Sequence, residues 1–148
     1  MRRLVLLAPA LLLLSGGSAL AADFTFNVPV TLSNVPSVQM LRVDCAVSRV
    51  AVDGAGPLGG GNVVGRGSAP VRIEGGAYSG TVAVEVNASG VITPDQARSY
   101  ICSMAVAGRS RTGVTYTASS GNLQEAYETS TGHRLTSYRS TVRGPIPR

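Results

Sequence analysis

Phe24-Thr25-Phe26-Asn27-Val28-Pro29-Val30-Thr31-Leu32 is the stretch on which the fold turns. Phe24, Phe26, Val28, Val30 and Leu32 fall on one face at a spacing of two, and Thr25, Asn27, Pro29 and Thr31 fall on the other. That alternation predicts a half-buried β-strand and excludes an amphipathic helix. Pro29 has no N–H to give to a ladder, so the strand belongs at a sheet edge or turns its proline nitrogen outward. The same period returns in Leu41, Val43, Cys45 and Val47, in Val82, Val84 and Val86, and in Tyr100, Cys102, Met104 and Val106. No window carries a helical apolar stripe. Strands at this close spacing predict an all-β protein, a small antiparallel sandwich or barrel.

The residues between these strands read as turns. Ser33–Ser37 separates the first two, Gly75-Gly76 makes a tight turn, and Asn87–Gly90 makes another. Residues 53–70, with Gly59-Gly60-Gly61, Gly65 and Gly67, are expected to form one long loop. A phosphate cradle is excluded there, because neither a helical pattern nor a Gly-Lys pair follows the glycines. From Ser119 the chain becomes rich in Ser, Thr and Arg and ends Gly144-Pro145-Ile146-Pro147-Arg148. It is expected to be a polar extension, partly disordered or adding one strand near Leu135–Val142, with its last five residues frayed.

Upstream of Phe24, Arg2 and Arg3 precede an apolar run from Leu4 to Leu14, and Ala19-Leu20-Ala21 fits the small-residue site cut by signal peptidases. The run is shorter than the roughly 20 residues that span a bilayer. Residues 1–22 are therefore expected to be a cleaved secretory signal, with no transmembrane span and a secreted or periplasmic destination. The domain plan is signal 1–22, β domain 23–118 and extension 119–148. Loss of Arg2 and Arg3 leaves 11 basic against 8 acidic residues, +3 where the whole chain carries +5. Every basic residue is Arg, and the positive excess gathers from Arg109 onward. Export argues against nucleic acid as a partner, and the charge suits weak attraction to anionic surfaces.

Cys45 and Cys102 are the two cysteines. An even count in an exported chain predicts one disulfide. His133 is the single histidine and lies beside Arg134 in a polar segment, with no Gly-x-Ser-x-Gly elbow anywhere. The carboxylates are scattered singly. No catalytic residue, metal site or cofactor is therefore assigned.

Asp95, Ala97, Tyr100 and Cys102 resemble the Asp-x-Ala-x-Tyr-x-Cys signature of the immunoglobulin-like sandwich, with one residue more between Ala97 and Tyr100. The resemblance implies two facing sheets joined by the Cys pair and a structural corner in which the Tyr100 hydroxyl bonds backbone between Val91 and Ala97. Phe24–Leu32 resembles the donor strand of chaperone-assembled fimbrial subunits, which implies a strand-exchange face of Phe24, Phe26, Val28, Val30 and Leu32. Those subunits end in a Gly and a penultimate Tyr, where this chain has Ile146-Pro147-Arg148. The expected function is a non-enzymatic binding or structural module of the envelope or extracellular space, monomeric and partnered by a protein or envelope component. A fibre subunit is the alternative, and a hydrolase the third reading.

Overall fold

A computed structural model describes residues 21–51, 60–89, 91–119, 122–132, 137–138 and 141–147. The expected signal up to position 20, the first part of the glycine loop and His133 lie outside the described residues. β1 (Phe24–Ser33), β2 (Val38–Ser48), β3 (Val63–Arg72), β4 (Tyr78–Ala88), β5 (Ser99–Arg109), β6 (Thr115–Ser119), α1 (Leu123–Thr131), β7 (Ser137–Tyr138) and β8 (Thr141–Pro145) follow in chain order. All the strand pairs are antiparallel, in the order β6-β5-β2-β3-β4-β1-β7. β8 shares one edge of β5 with β6, taking Ser99–Ser103 while β6 takes Ala105–Arg109. The sheet curls until β8 and β1 approach each other, so that it nearly closes into a barrel.

The period-two rows do what their spacing dictates. Phe26, Val28, Val30 and Leu32 are buried on β1 and meet Leu41, Val43, Val47, Val84, Val86, Met104 and Val106 in one core. Cys45 and Cys102 are bonded, as their count predicted, and both are buried. They stand directly opposite one another on the adjacent strands β2 and β5. The resemblance had implied a bond between two facing sheets. Here the bond lies within one curled sheet.

Part of the glycine-rich segment is a strand, which corrects its reading as a loop. β3 pairs with β2 from Met40↔Arg72 to Ser48↔Val63. Its glycines serve a crossing of backbones. β3 and β4 pair over Gly65↔Ala88 and Arg66↔Asn87. A Cβ on Gly65 would lie 2.3 Å from the Asn87 carbonyl oxygen, and one on Gly67 would lie 2.0 Å from that of Glu85. Beyond this contact β3 follows β2 and β4 follows β1, so the close passage is the hinge on which the sheet bends.

The tail from Ser119, expected as a polar extension partly disordered or adding one strand, carries a helix and two short strands among the described residues. Leu123–Thr131 is a helix, ended by Gly132 in the left-handed conformation with its amide on the Glu128 carbonyl. α1 packs on β5 and β6. Tyr127 is fully buried, its ring edge-on to Tyr116, and its hydroxyl donates to the Asn34 carbonyl at 3.3 Å. Thr131 is buried too, and its hydroxyl satisfies itself on the Tyr127 carbonyl at 2.8 Å. β8 then adds to β5, and the Ile146 amide bonds the Arg98 carbonyl, so the chain is tied down through Ile146. Among the described residues no helix is long and apolar enough to cross a membrane.

Candidate functional site

The sheet stops short of closure between β1 and β8, and the gap is a cavity of about 360 Å³. Its lining follows from strand parity. Phe24, Phe26 and Val28 point in from β1, Val142 and Ile146 from the last strand and its continuation, and Tyr100 from β5 beneath. The Tyr100 ring stacks on Phe26 with centroids 4.5 Å apart and planes 26° from parallel. Phe24 extends the row, 6.4 Å from Phe26. Offset aromatic pairs of this kind contribute about 1 kcal/mol beyond their buried area.

Tyr100 reaches β1 because Gly144 lets it. The two are direct partners on β5 and β8. A Cβ on Gly144 would sit 3.3 Å from Tyr100 Cε1 and 3.4 Å from its hydroxyl oxygen. The ring therefore lies across β8 and bridges the gap at its floor. This replaces the expected corner. Among the described residues no hydrogen bond joins the Tyr100 hydroxyl to the 91–97 turn. That turn is held instead by the Thr93 hydroxyl on the Asp95 carboxylate and by the Arg98 guanidinium on the Asp95 carbonyl, the latter at 3.2 Å.

The rims of the gap are backbone. In an antiparallel ladder successive residues turn their N–H and C=O alternately to one neighbour and the other. The Ala88 amide bonds the Asp23 carboxylate at 2.7 Å, and the Ser89 amide bonds the Val64 carbonyl at 2.9 Å. Even positions of β4 thus face β1. With Phe24 opposite Val86 and Pro29 opposite Thr81, the odd positions of β1 face the gap. β7 takes up this edge only at Leu32 and Ser33. Among the described residues no strand pairs with the outward N–H and C=O groups of Thr25 and Asn27 along the gap, and Pro29 presents a carbonyl alone. On the far rim the Ile146 amide faces β5, so Pro145 turns its nitrogen to the gap. Each rim carries a proline that cannot donate, which blunts the edges against zipping shut or pairing indiscriminately.

The expected strand-exchange face is therefore in the chain's own core: Phe26, Val28, Val30 and Leu32 are buried, and Phe24 is half-exposed at the gap. Sequence reading found all five and placed Val142 at the end of an expected strand, but missed Gly144 and Ile146 opposite them. Their own alternation, Val142-Gly144-Ile146, was the available signal, hidden by the glycine and two prolines. No acid, amine or imidazole lines the gap, and among the described residues no cluster of His, Cys, Asp or Glu could hold a metal. Away from the gap, burial raises the Tyr116 phenol above its ordinary pKa, opposed by a hydrogen bond with Ser37 and reinforced by Tyr127.

No protein-family model, no curated protein and no solved structure matches this chain.

Proposed function

We propose that the mature chain is an exported, non-enzymatic binding module of the cell envelope or extracellular space, a monomer that meets its partner at the gap between β1 and β8. One observation carries this reading. β1 is paired with β4 at nine consecutive positions and buries its apolar face in its own domain. Yet among the described residues its other edge is unpaired from Thr25 to Pro29, beside a cavity lined in part by aromatic and aliphatic side chains. A strand held this way is not spare for lending to a neighbour, whereas its free edge is available to a ligand. The aromatic and aliphatic lining suits binding, and holds no pair of groups for acid–base or nucleophilic chemistry. The disulfide fits an oxidising compartment.

Light scattering coupled to size exclusion tests the reading on oxidised protein comprising residues 23–148. A single species of monomer mass is expected across a hundredfold range of concentration. A ladder of heat- and SDS-resistant oligomers from the native host would replace the module with a fibre subunit.

A further inference from the structure

We infer that the gap takes an extended polypeptide, an alternating apolar segment with acidic flanks from another exported protein, which adds as a strand to the free edge of β1. This rests on the monomeric binding module proposed above and names its ligand.

The rim chemistry selects the ligand class. Thr25 and Asn27 offer donor and acceptor together, two residues apart, at the repeat of about 6.8 Å that an antiparallel strand presents. Only another extended backbone matches N–H and C=O in that alternation, and strand addition draws its affinity from such bonds. The cavity sets the side chains. Every second residue of an added strand turns inward, onto Phe24, Phe26, Val28 and Tyr100, so those residues must be apolar. A small apolar molecule would fill the same cavity but leave the Thr25 and Asn27 amides without protein partners. Charge sets the flanks. No acidic residue lines the gap, while Arg98 lies exposed beside Ile146 on a mature chain of net charge +3. Pro29, giving a carbonyl but no N–H, ends the addition and keeps it short.

The probe is acetyl-Glu-Val-Thr-Val-Thr-Val-Glu-amide, titrated into oxidised residues 23–148 and followed by calorimetry and by amide exchange. Saturable binding is expected, with slowed exchange at the Thr25 and Asn27 amides. The same peptide N-methylated at alternate backbone nitrogens should bind about tenfold more weakly, since backbone bonds are lost and side chains kept. Asn27→Pro removes one outward donor without touching the β1–β4 ladder, as Pro29 already shows, and should weaken binding about as much. Equal binding of the N-methylated peptide, or unchanged exchange at Thr25 and Asn27, would overturn strand addition in favour of an apolar small-molecule site. No binding by a protein that is monomeric would also overturn it, leaving the module without this ligand. Oligomers present before any peptide is added would instead defeat the underlying monomer and put a second copy in the gap.

Discussion

Cys45 and Cys102 face each other squarely across β2 and β5, with Cα atoms 4.0 Å apart. The close spacing belongs to a pair whose backbone groups point away from each other, so their side chains approach. The same parity sends the Cys102 backbone towards Val142 on β8. The disulfide thus sits between the strand that starts the gap's far wall and the centre of the sheet.

Reduction should therefore cost much and proceed slowly. The bond spans 57 positions, for which the loop-entropy model gives about 4 kcal/mol. Cys45→Ala/Cys102→Ala should lose a large part of that in urea unfolding. Both sulfurs are buried, so native oxidised protein should show no thiol titre under mild reductant until denaturant is added.

Tyr100→Phe should be close to neutral, within about 0.5 kcal/mol, because the ring and not the hydroxyl is engaged. Tyr100→Ala should cost about 3 kcal/mol through lost stacking and an enlarged cavity. The two variants, compared by chemical denaturation, separate the stack from a corner hydrogen bond. A corner would make the phenylalanine variant lose 1–3 kcal/mol.

Gly67→Ala should destabilise severely, by about 3 kcal/mol or prevent folding, since its Cβ would strike the Glu85 carbonyl at 2.0 Å. Gly61→Ala, a few residues away with nothing within 4 Å, should be tolerated. Thermal unfolding of the pair tests whether β3 truly crosses β4 here.

Tyr116 should titrate late. Its folded pKa lies above the unfolded value near 10, so the neutral phenol is favoured by folding. The stabilisation is whole below pH 10 and is lost as pH climbs through the folded pKa. Ultraviolet titration should show a retarded phenol that Tyr116→Phe removes.

What was legible in the sequence is what period two alone encodes. β1 and β4 bury one face each, and β2 and β5 carry the same alternating rows although Ala46, Ser48, Ser99 and Ala105 on their other face are buried too. Phe26 to Leu32 and Tyr100 to Val106 therefore declare themselves. Curvature does not. Gly65 and Gly67 look like turn residues, because the contact that requires them comes from Asn87 and Glu85, some twenty residues on. α1 escaped notice since only nine residues form it and its inward row, Tyr127 and Thr131, includes a hydroxyl that needs the i−4 carbonyl to be buried. The gap was hidden for a related reason. β1 was evident, but its open edge depends on where β8 stops; the expected strand near Leu135–Val142 reached only the start of β8, and Gly144-Pro145 reads as tail.

Deleting residues 22–33 should unfold the domain. Phe26, Val28, Val30 and Leu32 each gain about 1.5–3 kcal/mol from burial, roughly 6–12 kcal/mol together. That equals the whole net stability of an ordinary domain, about 5–15 kcal/mol. The deletion also strips β4 of its partner from Val86 to Tyr78 and removes the Asp23 carboxylate from the Ala88 amide. Circular dichroism should show loss of sheet, and proteolysis should degrade the product. Supplying residues 22–33 as a separate peptide should recover little, because the chain entropy saved by covalent attachment is lost. A folded, soluble deletion product that accepts the peptide in trans would mean that β1 is a separable strand, and that the domain is built to exchange it.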